Sequence, residues 1–372
     1  AVALYGKELE NSATELERFA ACAFAHFLQY GLRAQEREPA EFDSRFYGTF
    51  VHDVLEYIVQ QTEREGGFAA VPRSRVQELA QERMEQNAQT LLETFPDSGR
   101  TGYLLRRTFD EVTQVVDELY DELSVSAFRP KFCELEFSAR GALPGVAFAG
   151  ERCRGVVEGF VDRVDVWQSG GRPYVRVVDY KTGKKSFDYT NVLHGRGLQM
   201  LLYLFALVRQ GGHLLHGEPL PAGVLYFPAR IERVSVRDRL AQAEIEKERR
   251  KQLRRSGVLL NSDPVLEAME PCGGSPRFLP YTLDKEGRKT GDLASFVQLA
   301  QLERFVFRTV AALGDELADG CIDPDPCIRD AKDSACAFCP YSEICAGHEQ
   351  PRWLKKITAE EFWQTLERRE HG

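Results

Sequence analysis

The sequence predicts an α/β fold with helical insertions, and three observations predict it. Residues 12–124 carry apolar side chains at helical spacing. Residues 131–181 switch to Val- and Phe-rich segments with period-two alternation. Helical spacing then returns from Leu198. The first helix is expected over 12–30. Ser12-Ala-Thr-Glu15 has the pattern of a capping box, Leu16, Phe19, Ala20, Ala23, Phe27 and Tyr30 recur on one face, and Gly31 supplies a stop. Further helices are expected over 46–61, 74–95 and 101–124, with Pro72, Pro96 and Gly99 at the joints. Strands follow at 131–139, 153–167 and 173–181, and Gln168-Ser-Gly-Gly-Arg172 turns the last two into a hairpin. A helix over 198–210, a short strand over 224–228, a charged helix over 237–255 and an apolar-striped helix over 292–318 complete the set. The stretch 256–291, rich in Gly, Pro and turn residues, reads as a loop or linker.

The composition narrows the function. At 372 residues the chain has the length of about two to three typical domains. Hydrophobic residues at 43% and charged residues at 28% exclude wholesale disorder. A net charge of −9 disfavours coating nucleic acid by bulk charge but leaves room for a local basic groove. No apolar run approaches the about 20 residues of a membrane span, so no membrane partner is expected. The first twenty residues, with Lys7, Glu8, Glu10, Glu15, Glu17 and Arg18, do not resemble a signal peptide, and a cytoplasmic location is expected. The chain does not begin with Met and is expected to be a piece of a larger polypeptide. Nine cysteines are too few for a disulfide scaffold. Five of them, Cys321, Cys327, Cys336, Cys339 and Cys345, crowd the end of the chain, which points to metal or cluster ligation.

Chemistry concentrates on the hairpin. Asp179 and Lys181 are two residues apart on one strand and project to one face, with Tyr180 pointing away. Asp162, in Gly159-Phe-Val-Asp-Arg163 on the neighbouring strand, can reach the same face. Two carboxylates beside a lysine suit a hard divalent cation, and water on such a cation can attack a phosphodiester. An ordinary ion pair on a solvated edge is the plainer reading of Asp-x-Lys alone. Its company changes that. Gln199 and Tyr203 share a helical face downstream, and Gly48-Thr-Phe-Val-His52 places His52 and Glu56 on one face upstream.

Together, Gly48-x-x-x-His52, Gly159-x-x-Asp162-Arg163, Asp179-Tyr-Lys-Thr-Gly183 and Gln199-x-x-x-Tyr203 resemble the RecB-type branch of the PD-(D/E)XK nuclease superfamily. The resemblance implies a restriction-endonuclease-like core, a central mixed sheet flanked by helices. It implies that His52, Asp162, Asp179 and the Tyr180 carbonyl bind Mg²⁺, with Mn²⁺ able to substitute. Lys181 would orient or deprotonate the attacking water or balance charge, and Gln199 and Tyr203 would support Lys181 and the DNA backbone. Glu56 matches more loosely and would reach the site through water.

Cys336-Ala-Phe-Cys339 and Cys345 supply three thiolates and need a fourth ligand. Spacing leaves Cys22, Cys321 and Cys327 open for it, and leaves zinc open beside iron–sulfur. One early and three late cysteines resemble RecB-type nucleases that hold a [4Fe-4S] cluster, which implies Cys22. Residues 12–32 and 48–56 look closest to the nuclease domain of the AddB family. That family works beside an AddA-type helicase–nuclease subunit on double-strand DNA ends, which implies single-stranded DNA ends as substrate and trimming of the 5′-ended strand. Cys133, Cys153 and Cys272 read as small hydrophobes. No Gly-x-x-x-x-Gly-Lys-Ser/Thr occurs, and Gly287-Arg-Lys-Thr-Gly291 has the wrong spacing, so this chain is expected to carry no ATP site.

The expected organisation is one nuclease domain over 1–372. It comprises N-terminal helices with Cys22 and His52 (1–63), a helical insertion (64–130), the catalytic core (131–228), a helical and loop region (229–320) and a C-terminal cluster segment (321–372). Residues 229–255 hold ten Lys/Arg against five Asp/Glu. Such a helix could track phosphates, but its interleaved acids favour a solvated, self-paired face. Two rival readings are a stand-alone or CRISPR-associated type of iron–sulfur exonuclease, and a non-catalytic cluster-bearing DNA-binding or scaffold module.

Overall fold

The fold was analysed in a computed structural model that describes all residues except 1, 7, 35–43, 95–98, 184–185, 232–241, 346, 348–350 and 372. Among the described residues, ten strands precede residue 295: β1 (Leu9–Ser12), β2 (Arg129–Phe137), β3 (Val146–Ala149), β4 (Arg154–Ser169), β5 (Arg172–Lys181), β6 (Leu220–Pro228), β7 (Ser256–Leu260), β8 (Tyr281–Leu283), β9 (Lys289–Gly291) and β10 (Leu293–Ala294). Eight of them form one mixed sheet ordered β1-β4-β5-β6-β7-β10, with β2 and β3 also pairing with β4. The β5–β6 pair is parallel and the β4–β5 hairpin antiparallel. Gly170 and Gly171 make the hairpin turn, both with positive φ (58° and 77°), as a tight two-residue connection requires.

The long strand β4 changes partners along its length. Its first half pairs with β1 and β3, its second with β2 and β5. Gly159 stands at the change. Its φ is +154°, and a Cβ there would collide with the Tyr203 hydroxyl. The helix Gln199–Gln210 covers β5 and β6 through an almost wholly buried run, Met200 to Leu207. Helices Ser44–Arg64, Arg73–Thr94 and Gly99–Leu123 pack together through Val51, Val54, Leu55, Ile58, Val112, Val115, Val116 and Leu119, all essentially inaccessible to solvent. Among the described residues no helix is long and apolar enough to cross a membrane.

Three expectations need correction. The helix expected over 12–30 is broken: Ala13–Ala21 ends at Cys22, whose backbone is extended (φ −169°, ψ 115°), and Ala23–His26 restarts it before a π-turn over Phe27–Gly31. The Ser12 hydroxyl accepts the Glu15 N–H at 3.1 Å, but the Glu15 carboxylate turns to the buried His26 at 3.3 Å, so only half of a capping box forms. The stretch 256–291 is not a loop. It supplies β7 to the main sheet, the helix Asp263–Met269 and the β8–β9 hairpin. The charged helix is described over Gln242–Gln252, and the expected residues 237–241 and Pro96 lie outside the described residues.

Candidate active site

Register builds the site. On β4 and β5, Arg163 pairs with Val178, so Asp162 and Asp179 are the next cross-strand neighbours. On β2, Cys133 and Leu135 pair with Arg163 and Val161, which sets Glu134 opposite Asp162. Three carboxylates thus stand in a row across three adjacent strands, and directly opposed residues share a face. Glu134 takes a left-handed backbone (φ 48°), rare for a residue other than glycine in a strand.

The helix Ser44–Arg64 delivers His52 to the strand ends. His52 Nε2 lies 2.8 Å from the Tyr180 carbonyl oxygen, and Nδ1 lies 3.5 Å from Asp162 Oδ2. The Tyr180 N–H donates to the same Asp162 oxygen at 2.7 Å. Lys181 Nζ sits 2.5 Å from Asp179 Oδ2. That ion pair aside, this buried oxygen has no hydrogen-bond partner among the described residues. Glu56, one turn after His52, accepts from Gln60 at 2.8 Å.

Crowding and burial raise the acids. Burial, then the Asp179 charge, pushes Asp162 up to about 6, against the pull of His52 and the Tyr180 N–H. Partial burial, then Asp162, Glu56 and Asp179, pushes Glu134 up to about 7. Such mutual repulsion is what a divalent cation relieves. Ligand atoms of His52, Glu134 and Asp162 lie within 4.8 Å of one another. One imidazole, carboxylate oxygens and a carbonyl fit Mg²⁺ or Mn²⁺, so the residues present suit the expected ion.

The downstream pair, Gln199 and Tyr203, ties its helix to β4 and to the N-terminal helix. The buried Tyr203 hydroxyl donates to the Glu158 carbonyl at 3.0 Å and its ring stacks on Phe137, so it braces β4 from beneath and does not face solvent. The Gln199 backbone N–H donates to the Glu17 carboxylate at 3.0 Å, tying this helix to Ala13–Ala21.

Cys22, Cys336, Cys339 and Cys345 line a single cavity of about 200 Å³ with Phe24, Pro324 and Pro326. All four are free thiols. Cys22, extended at the break between two helices, lines the cavity, and Arg18 Nη2 approaches Cys339 Sγ at 3.8 Å. Cys327 instead is buried with its thiol donating to the Ala20 carbonyl, and Cys321 faces Asp323. Neither lines the cavity. Four thiols around one cavity suit a tetrathiolate-held group.

The sequence matches the PD-(D/E)XK nuclease superfamily over residues 10–346. The chain belongs to this superfamily. It is similar to proteins named as the B subunit of an ATP-dependent helicase/deoxyribonuclease. It is 34% identical to that of Moorella thermoacetica over 92% of this chain, and 32% identical to that of Caldanaerobacter subterraneus subsp. tengcongensis over 92%. The equivalent protein of Oceanobacillus iheyensis is 28% identical over 92% of this chain. The chain spans about 30% of the length of these relatives. It is an AddB-type PD-(D/E)XK domain.

In this PD-(D/E)XK site the residue missed from sequence is Glu134. Its strand was expected, and Glu134 and Glu136 were both visible in it. The register was not, because the connection over 138–153 allows many alignments of β2 against β4.

Proposed function

We propose that this chain is the metal-dependent nuclease domain of the B subunit of a helicase–deoxyribonuclease, hydrolysing phosphodiester bonds in single-stranded DNA ends. The row Glu134, Asp162, Asp179, capped by His52 and the Tyr180 carbonyl and flanked by Lys181, carries this reading. His52, Asp162, Asp179 and the Tyr180 carbonyl would hold Mg²⁺ or Mn²⁺, with Glu134 beside them. When bound, the ion supplies a polarised phosphate and a water of lowered pKa. The chain's residues do the rest. Asp162, fixed by the Tyr180 N–H, keeps its carboxylate aimed across the strands. Lys181 holds an ammonium beside Asp179, where it can orient the water or balance charge on the phosphate. Tyr203 and Gly159 keep β4 in place below.

The 5′-ended strand is the proposed substrate, an AddA-type subunit the proposed partner, and end processing for recombination the proposed setting. Cys22, Cys336, Cys339 and Cys345 would hold a [4Fe-4S] cluster, supported by their common cavity. The intact acid–acid–Lys set speaks against a non-catalytic module. The test is cleavage of labelled single-stranded DNA with Mg²⁺ or Mn²⁺. Activity abolished by EDTA and restored by either ion is expected, and absence of cleavage under all metal conditions refutes the reading. Elemental analysis reading iron, with no zinc, tests the cluster.

A further inference from the structure

Behind the carboxylate row lies a cluster of charges that the reaction does not touch. Arg163, Asp165 and Arg176 are fully buried, and Glu122 and Arg255 nearly so. Arg163 clasps Asp165 with Nε at 2.8 Å and Nη2 at 3.1 Å. Arg176 donates to Asp165 at 2.8 Å and to Glu122 at 3.0 Å, and Arg255 donates to Glu122 at 2.8 Å while packing over Phe227. Three guanidinium groups meet two carboxylates in this cluster. Burying charge this deeply is costly and is not the cheapest way to stabilise a core.

A hydrogen bond leads from this cluster toward the site. Arg163 Nη1 donates to the Tyr180 hydroxyl at 2.9 Å. Tyr180 is the residue whose carbonyl faces His52 and whose N–H holds Asp162. Its side chain is therefore pinned at one end and its peptide groups are used at the other. We infer that Arg163 is a positioning residue that acts through the Tyr180 ring to fix the carbonyl and the Asp162 carboxylate at the metal site. Asp165 locks the guanidinium by two bonds, so that the remaining nitrogen points in one direction. Glu122, from the helical insertion, closes the cluster from the far side. A lysine at 163 keeps the charge but cannot span Asp165 and Tyr180 in this fork geometry.

The inference rests on the metal-nuclease reading, and its test separates the two. Mn²⁺ binding is followed by the electron paramagnetic resonance of free Mn²⁺ on the unaltered chain, on Tyr180→Phe, on Arg163→Lys and on Leu302→Ala, a core truncation away from the site. Loss of an outer partner of a metal ligand typically weakens metal binding by about 10–100-fold. Tyr180→Phe is expected to weaken Mn²⁺ binding by about tenfold while staying folded, and Arg163→Lys to match it wherever it folds. Leu302→Ala is expected to lower the melting temperature and leave Mn²⁺ affinity unchanged. Unchanged affinity in folded Tyr180→Phe, or equal weakening in Leu302→Ala, overturns the role of Arg163. Failure of the unaltered chain to bind Mn²⁺ overturns the metal site itself and this inference with it.

Discussion

Glu134 and Asp162 bind protons more tightly in the folded chain than in the unfolded chain. Their folded values, about 7 and about 6, lie above the ordinary carboxylate range. A raised acid stabilises the fold at low pH, and that contribution is lost as pH climbs from about 4 toward 7. The metal-free chain is therefore expected to melt lower at pH 7.5 than at pH 5 by an amount that Glu134→Gln with Asp162→Asn diminishes, a comparison made by calorimetry in about 1 mM EDTA. Mn²⁺ displaces those protons, so its stabilisation is expected to be larger at pH 7.5; an equal increment at both values contradicts the assignment. His52 adds a nitrogen donor to an oxygen site, which suits Mn²⁺ better than Mg²⁺. Mn²⁺ is expected to support at least as much cleavage as Mg²⁺, and His52→Ala to erase that advantage. A variant with unchanged rate and metal preference removes His52 from the ligand set. Asp162, Asp179, Lys181 and His52 were legible because motif spacing places them on a hairpin and a helix face. Glu134 was not, because only three-dimensional register brings it opposite Asp162.

The helix Gly99–Leu123 is more than an apolar insertion. Glu122 accepts from Arg176 and Arg255, and although burial alone would raise its carboxyl, Arg255, Arg176 and Arg163 pull it down to about 2. Glu122→Ala strands two or three guanidinium groups in the core. Removing one partner of a buried pair costs about 3–5 kcal/mol, which urea unfolding should register in full. A cost below about 1 kcal/mol, typical of an exposed pair, means the cluster is wetter than its burial indicates. Helix and strand periodicity made most elements readable. The break at Cys22 was hidden because apolar spacing continues through it, and the strand Ser256–Leu260 was hidden in a short run, Val258 to Leu260, among turn residues. Its place in the sheet comes from pairing with β6, which no local pattern announces.

Across the whole molecule, the first and last segments meet around the four thiols. The Phe24 N–H donates to the Asp323 carbonyl, the Arg352 guanidinium to the Ala20 carbonyl and the Tyr341 hydroxyl to the Ala34 carbonyl, so hydrogen bonds onto backbone carbonyls join the two segments. Cys22 and Cys336 are more than three hundred residues apart. A crosslink closing a loop beyond about 100 residues restricts the unfolded chain by more than about 4.7 kcal/mol in the chain-entropy account, against a typical stability of about 5–15 kcal/mol. Cys22→Ser is expected to lose iron and its visible absorbance, melt lower and expose the terminal segments to protease. Cys327→Ser, outside the cavity, is expected to retain iron. The reverse pattern places the fourth ligand locally.

The proposed nuclease needs the carboxylate row to hold a metal that Lys181 then helps to use. Paired titrations of Mn²⁺ binding and single-stranded DNA cleavage on the unaltered chain, Asp179→Ala and Lys181→Ala test this most directly. Asp179→Ala is expected to lose both, and Lys181→Ala to bind Mn²⁺ as the unaltered chain does yet cleave nothing above background. Cleavage by either variant at the unaltered rate, or cleavage persisting in EDTA, contradicts it.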